Sequence, residues 1–384
     1  MIPYLRELAA GGHELTLLTF EPGEVDEKVV RSSLAAEGIE WQWLRYHKRP
    51  SVPATLFDIG NAARFIRKLN AEKKFDILHA RSHVPMMMAA LSRKISSHKP
   101  KLLFDIRGFM PEEYVDAGIW PEGGAVYRNV KRAEGWLMKE ADGFVVLTEK
   151  AREILAEQIG PRPVEVIPCC VDLHRFEAAN KDSRQEIRDK LEIGDRFTVA
   201  YVGAFGGWYL TQETAEFFGT LKMQFPESFA LVLTQSDPGI IRPLLESRGL
   251  GESDFFIGRV ASADIPKYLS GADGAISLIK NCYSKQASSP TKNAEYLACG
   301  LPIVANSGIG DTDRHINEDC VGVLVDDLTR NGYLQAINVL RSLGPDTSDK
   351  CRSSARNRFD LVGVGGTRYR RLYDSLTRSA TYSE

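Results

Sequence analysis

The residues with the most chemical content form one run, Ser288-Ser289-Pro290-Thr291-Lys292-Asn293-Ala294-Glu295-Tyr296-Leu297-Ala298-Cys299-Gly300-Leu301-Pro302-Ile303-Val304. It reads as a polar loop, a helix with one carboxylate in its first turns, a glycine stop and a buried strand. A helix start offers free N–H groups and the positive end of a dipole to an anion, and Lys292 adds a mobile positive charge. Ser288, Ser289 and Thr291 supply hydroxyls that can bind phosphate oxygens. Ser289 or Thr291 can also cap the helix, a use that draws on the same N–H groups and is compatible with anion binding. Glu295 lies about a turn deeper, where a carboxylate can accept two hydroxyl hydrogens from a sugar. Phosphate and sugar hydroxyls together are what a nucleotide presents.

Two further loops carry candidate chemistry. Gly203-Ala204-Phe205-Gly206-Gly207-Trp208 follows a strand-like run and precedes a helical one. Glycines there let backbone approach a phosphate closely, or simply make a turn. Phe104-Asp105-Ile106-Arg107-Gly108-Phe109-Met110-Pro111-Glu112-Glu113 stands at a strand end, where open α/β sheets hold ligands. A guanidinium is no base at neutral pH, yet Arg107 can orient an acceptor or stabilise departing charge. Asp105, Glu112 and Glu113 are its candidate partners, and His83, after another strand, is a second candidate on this side. Asp311-Thr312-Asp313 spells a metal-binding pattern but reads better as the capped start of a helix.

The run from Ser288 resembles the donor-sugar motif of family 4 retaining glycosyltransferases of the "group 1" type. Val166-Ile167-Pro168-Cys169-Cys170-Val171-Asp172-Leu173-His174-Arg175-Phe176 resembles the segment by which that family crosses into its second domain. The resemblance covers nearly the whole chain. It implies the GT-B fold, an α/β architecture of two Rossmann-like, doubly wound parallel-sheet domains facing a cleft. It further implies sugar transfer from a nucleotide-diphosphate donor to a glycan or lipid-linked hydroxyl acceptor, with no metal or other cofactor. By this reading Glu295 holds the ribose, while Gly203, Gly206, Gly207, Ser288, Ser289, Thr291 and Lys292 face the diphosphate. Arg259 and Val260 would lie where relatives receive the nucleobase. Arg107 stands where relatives often carry a histidine facing the reacting sugar, which makes Arg107 and Glu295 the catalytic candidates and His83, Asp105 and Glu112 acceptor-side residues. Two departures stand out. The family's second glutamate falls at Ala287, and Trp208 and Tyr209 stand where relatives often carry an arginine and a lysine. They favour, as an alternative, a nucleotide-binding remnant without turnover; a nucleotide-sugar epimerase of the same fold is a second alternative, which would need acid/base residues in the cleft that the sequence does not reveal.

The elements that must position these residues follow from the pattern of β-branched and leucine-rich runs. These fall at 13–20, 75–80, 101–106, 143–148 and 164–167, then at 197–202, 229–234, 255–257, 274–279, 302–305 and 322–325, alternating with helical patterns. Such alternation predicts parallel sheets covered by helices on both faces, and two series predict two sheets. A first domain over 1–178, a second over 179–355 and a last segment 356–384 that crosses back are expected, with Tyr369, Leu372, Tyr373 and Leu376 at helical spacing. The chain begins on an amphipathic helix, Ile2, Leu5, Leu8 and Ala9 on one face, where the resemblance places a strand and glycine loop first. Loss of that central strand is expected to leave neighbouring edges unpaired and to open the helix to water.

Composition limits the remaining classes. A net charge of −2 over 384 residues gives no overall basic field for nucleic acid. The six cysteines show no metal-ligand spacing, and no run approaches the roughly 18 apolar residues of a membrane span. A cytoplasmic protein is expected. The basic runs 45–49 and 93–101 could touch anionic lipid at the inner face of a membrane, solvated faces being the simpler reading. A dinucleotide oxidoreductase would need a G-x-G-x-x-G that is not present.

Overall fold

A computed structural model describes residues 1–23 and 25–378. The chain divides into two compact units, Met1–Ile167 together with the segment from Leu361 onward, and Pro168–Asp360. The first change of unit thus falls inside the crossing motif, between Ile167 and Pro168, whereas the sequence pattern put it after 178. The reason is local: Val171 donates its N–H to Phe359 O at 2.8 Å, and Val171, Phe176 and Ala179 pack into the second unit's core. No described helix is long and apolar enough to cross a membrane.

In the first unit, strand β1 (Leu15–Glu21) pairs in parallel with β2 (Ile39–Arg45). A separate parallel sheet runs β3 (Ile77–Arg81), β4 (Lys101–Asp105), β5 (Gly143–Val146) and β6 (Val164–Val166). Strand β2 was not foreseen, because its Trp41 and Trp43 interrupt a polar sequence and only alternate residues are buried. Between β1 and β3 lies a cavity of about 720 Å³ bordered by Leu15, Leu17, His79, Met88 and Tyr373. The edges of β1 and β3 nearest it make no ladder, in keeping with the expected unpaired edges. The first helix, Ile2–Ala10, is not opened to water as expected. Tyr4, Leu5 and Leu8 are buried, since the helix Thr367–Arg378 packs beside it and the rings of Tyr4 and Tyr369 meet edge to face at 5.3 Å. Tyr369, Leu372, Tyr373 and Leu376 are all buried. Residues 379–384 of the expected last segment lie outside the described residues.

The second unit has one six-stranded parallel sheet. In chain order the strands are β7 (Phe197–Val202), β8 (Ser228–Leu233), β9 (Phe255–Gly258), β10 (Gly274–Ser277), β11 (Ile303–Asn306) and β12 (Gly322–Val325). They lie in the order β12-β11-β10-β7-β8-β9. The central strands are buried along nearly their whole length and mostly apolar, as a sheet covered on both faces requires. Two apolar cores, one around Leu231, Leu297 and Phe359 and one around Phe217, Ile276 and Tyr333, fill those faces. This doubly wound order reverses between β7 and β10, and ligands of such sheets bind beyond the carboxyl ends of the strands at the reversal. The loop after β7 therefore occupies the position that topology reserves for a ligand.

Candidate functional site

The helix Thr291–Ala298 begins at Pro290, and no side chain caps it. The expected capping by Ser289 or Thr291 is absent for a physical reason. Ser289 Oγ instead accepts the Cys169 N–H at 3.1 Å, tying the loop to the crossing segment, and Thr291 points to solvent. The helix start thus keeps its N–H groups clear of side-chain caps. Tyr296 fixes the helix to the sheet: its hydroxyl accepts the Val202 N–H at 2.7 Å and donates to Ile276 O at 3.3 Å, which touches both strands of the reversal.

Lys292 is the most unusual group here. Its side chain is buried at 6% exposure, and Nζ makes no hydrogen bond. The Tyr201 and Tyr209 rings lie 4.3 Å and 4.2 Å from it, within cation–π distance. Burial pulls its pKa down to about 7, with Glu295 opposing weakly. Gly203, at φ 141°, makes room for it, since a Cβ there would stand 2.9 Å from Nζ. Gly206 and Gly207, at φ 81° and 61°, turn the chain so that Tyr209 bridges to Ile279. These two glycines serve backbone conformation, with open space where their side chains would be.

Glu295 is mostly buried, and that burial raises its pKa, while Arg175 and then Lys292 pull it back. Arg175 was quoted within the crossing motif but given no role; it also donates to Ser262 O at 2.8 Å. Also unforeseen were Tyr201 and Tyr209 as partners of Lys292, and Lys285, whose Nζ lies 4.0 Å from the Trp208 ring. The signal available was the aromatic pair Trp208-Tyr209 itself, two rings in a glycine loop followed by lysines in the facing loop. Ala287 is buried at 2% exposure. Ser288 is half-buried, its N–H bonded to Lys285 O. Arg259 is exposed, while Val260 O accepts from Gln235 Nε2 at 3.0 Å. Burial raises the Cys299 thiol's pKa, so it remains protonated.

Asp311 and Asp313 do not converge on a metal position. Asp313 accepts the Gly308 N–H and Asp311 meets Arg314 at 3.4 Å, with the helix Thr312–Asp319 starting there.

The first unit's candidates form two groups. Asp105 is fully buried and accepts the Tyr369 hydroxyl at 3.0 Å, with Arg107 Nη1 and His79 Nε2 each at 3.5 Å. Burial alone would raise its pKa, yet His79, Arg107 and Arg81 hold it below the ordinary value. Its carboxylate is thus occupied structurally, and it orients Arg107. His83, also buried, is 2.9 Å from Glu134 Oε1 through Nε2. Lys131 binds Glu134 and meets Glu112 at 2.9 Å, and Tyr127 donates to Glu112 at 3.1 Å. His83 and Glu112 are therefore joined through Lys131 and Glu134, neither of which was foreseen.

The fold and the site define a protein of two Rossmann-like domains with an uncapped helix start and a buried lysine at one sheet's point of reversal. Residues 4–175 match the family described as Glycosyltransferase Family 4, and residues 183–358 match Glycosyl transferases group 1. The chain belongs to these group 1, family 4 glycosyltransferases. No curated protein matches it. Among solved structures it is similar to a glycosyltransferase from Rickettsia africae, at 17% identity and TM-score 0.67, covering 95% of this chain and 99% of that one. It is similar to WaaG, a glycosyltransferase of lipopolysaccharide biosynthesis, at 15% identity and TM-score 0.66, with 98% and 95% covered. Anabaena HepE in complex with UDP and glucose matches at 14% identity and TM-score 0.64, with 96% and 100% covered. At these identities the likeness establishes the GT-B fold.

Proposed function

We propose that this glycosyltransferase moves a hexose, with retention, from a nucleotide-diphosphate sugar to a hydroxyl of a glycan or lipid-linked acceptor in cell-envelope polysaccharide or glycolipid synthesis, without a metal. The observation that carries the reading is Lys292, a buried ammonium with no hydrogen-bond partner at an uncapped helix start. Burying a cation without a partner is costly, so a site that keeps one is suited to an anion that completes it. HepE's complex with UDP and glucose supports the donor class, and WaaG's place in lipopolysaccharide biosynthesis supports the acceptor class.

In the proposed reaction the bond from the anomeric carbon to the diphosphate oxygen breaks, and its electron pair remains on that oxygen. Helix N–H groups and Lys292 stabilise the charge that appears there. The acceptor oxygen bonds to the anomeric carbon on the face the diphosphate leaves, and its proton passes to a phosphate oxygen. Glu295 accepts the ribose hydroxyls and so fixes the donor. Arg107, oriented by Asp105, serves the acceptor side by charge rather than as a base.

Incubation with a panel of nucleotide sugars tests this, read by release of nucleoside diphosphate and by the anomeric configuration of the product. Donor-dependent release with an α-linked product from an α-donor is expected. Tight nucleotide binding with no turnover of any donor and acceptor would establish the rival, a binding remnant, which the buried Ala287 in place of a glutamate favours. An altered sugar without transfer would point to an epimerase.

A further inference from the structure

The basic run 45–49 is absorbed by none of the chemistry above, and the structure gives it a setting. Strand β2 ends at Arg45, and the chain passes through Tyr46, His47, Lys48 and Arg49 into the helix Ser51–Lys73. Arg45, Lys48 and Arg49 are exposed, and none forms an ion pair with another described residue. On the first two turns of the helix Val52, Leu56 and Phe57 are 64%, 64% and 60% exposed, and Tyr46 in the preceding basic run is 45% exposed. Val52, Leu56 and Phe57 fall within about 140° of one another around the helix, so one side of it presents a single apolar strip. Leucine and phenylalanine left this bare side by side are unusual for a surface with no partner.

The patch is also held in place. Asp58, 2% exposed, accepts the His47 N–H at 3.0 Å through Oδ2 and lies 2.6 Å from His47 Nδ1 through Oδ1. The His47 ring meets Phe57 edge to face at 5.2 Å. The basic segment is thereby pinned against the apolar turns. Among the described residues, the Asp58 carboxylate is committed to His47, and Glu21 is the ladder partner of Arg45 on β1.

We propose that this patch docks the protein on an anionic lipid surface, with Val52, Leu56 and Phe57 entering the boundary between headgroups and acyl chains and Arg45, Lys48 and Arg49 lying among the headgroup charges. A flat surface that is apolar beneath and negative above matches both halves of the patch at once. A second copy of the chain is a poorer fit, because a two-fold contact would bring the same three cations together. The inference does not depend on the transferase reading.

Flotation of the full chain with vesicles tests it. Vesicles of phosphatidylcholine with about 30% phosphatidylglycerol should carry the protein at least about tenfold better than phosphatidylcholine alone, with the difference shrinking in high salt. The double variant Leu56→Ser/Phe57→Ser should abolish flotation. Lys48→Glu/Arg49→Glu should lower it at least tenfold, with circular dichroism melts unchanged for both. Phe57→Trp should show a blue-shifted emission on anionic vesicles. Failure of the wild-type chain to float, or equal flotation of the wild type and both double variants, would overturn the proposal. So would a concentration-dependent dimer that the same substitutions dissolve, which would assign the patch to a second copy.

Discussion

The second unit carries its six strands in one continuous ladder, whereas in the first the ladder stops at β1 and resumes at β3 across a cavity of about 720 Å³. The continuous sheet holds the glycine loop after β7 at its reversal, and Tyr296 braces the facing helix Thr291–Ala298 against the backbones of both β7 and β10. In the interrupted unit, cohesion near the gap comes from side chains: His79 and Tyr373 meet at 2.9 Å, and Tyr369 binds the buried Asp105. A ladder gives graded, repetitive support, while a buried polar cluster depends on each member being satisfied. The two units should therefore differ in how they open, and the donor site should be insulated from that difference.

The largest expected effect is in hydrogen exchange. Amides of β1 and β3 that face the cavity have no ladder partner and should exchange at least about a thousandfold faster than those of β7 and β10. Mass spectrometry of the native protein, with peptides covering residues 15–21, 77–81 and 197–202, reads this directly. Equal protection in the three would mean that the interruption has no energetic consequence.

Next in size is the proposed donor site itself. Glu295→Gln removes a charged acceptor, and a charge-assisted hydrogen bond contributes about 1.5–3 kcal/mol. Nucleoside diphosphate should bind roughly ten- to a hundredfold more weakly, while the melting temperature changes little because Glu295 makes no ion pair to lose. Calorimetric titration checks it. An unchanged affinity would remove Glu295 from the ribose role.

Much of this division could be read from the sequence, and what could not has definite causes. Strands such as 197–202 and 229–234 announce themselves because both faces are buried, so every residue is apolar or β-branched. Strand β2 does not, since Glu40 is exposed and Gln42 half-buried between its tryptophans. At the proposed donor site the helix start and the positions of Lys292 and Glu295 follow from spacing. The tyrosine cage does not, because Tyr201 and Tyr209 reach Lys292 only once β7 and its loop are placed against the helix. Asp105 looked like an acceptor-side group; nothing in its neighbours along the chain indicated that Tyr369 would bury it from the far end of the sequence.

A smaller effect, about tenfold per pH unit, follows from Lys292. With its pKa drawn down to about 7, it is largely neutral above that pH in the free protein. A bound diphosphate favours the ammonium and raises the pKa, so binding above pH 7 takes up a proton. Affinity should fall by up to about tenfold per unit as pH rises above 7. Titration in buffers of different ionisation enthalpy should register uptake of about one proton at pH 8, and Lys292→Met should lose both the slope and the uptake.

The same substitution sets the two roles of Lys292 against each other. In the unfolded chain the lysine titrates near 10.4; in the fold its pKa is lower, so between about 7 and 10.4 the unfolded state binds more protons and stability rises with pH. Below pH 7 the ammonium is charged in both states and its burial costs the fold in full. Lys292→Met keeps the volume and discards the charge, so the variant should melt higher than the parent at pH 6, by a few degrees, and the gain should shrink toward pH 10. The second unit's own transition should carry the change, with cavity-facing exchange in β1 and β3 unaltered. A variant that melts lower at pH 6 would mean that the tyrosine rings compensate the buried charge within the free protein, leaving no unmet demand for an anion at the helix start.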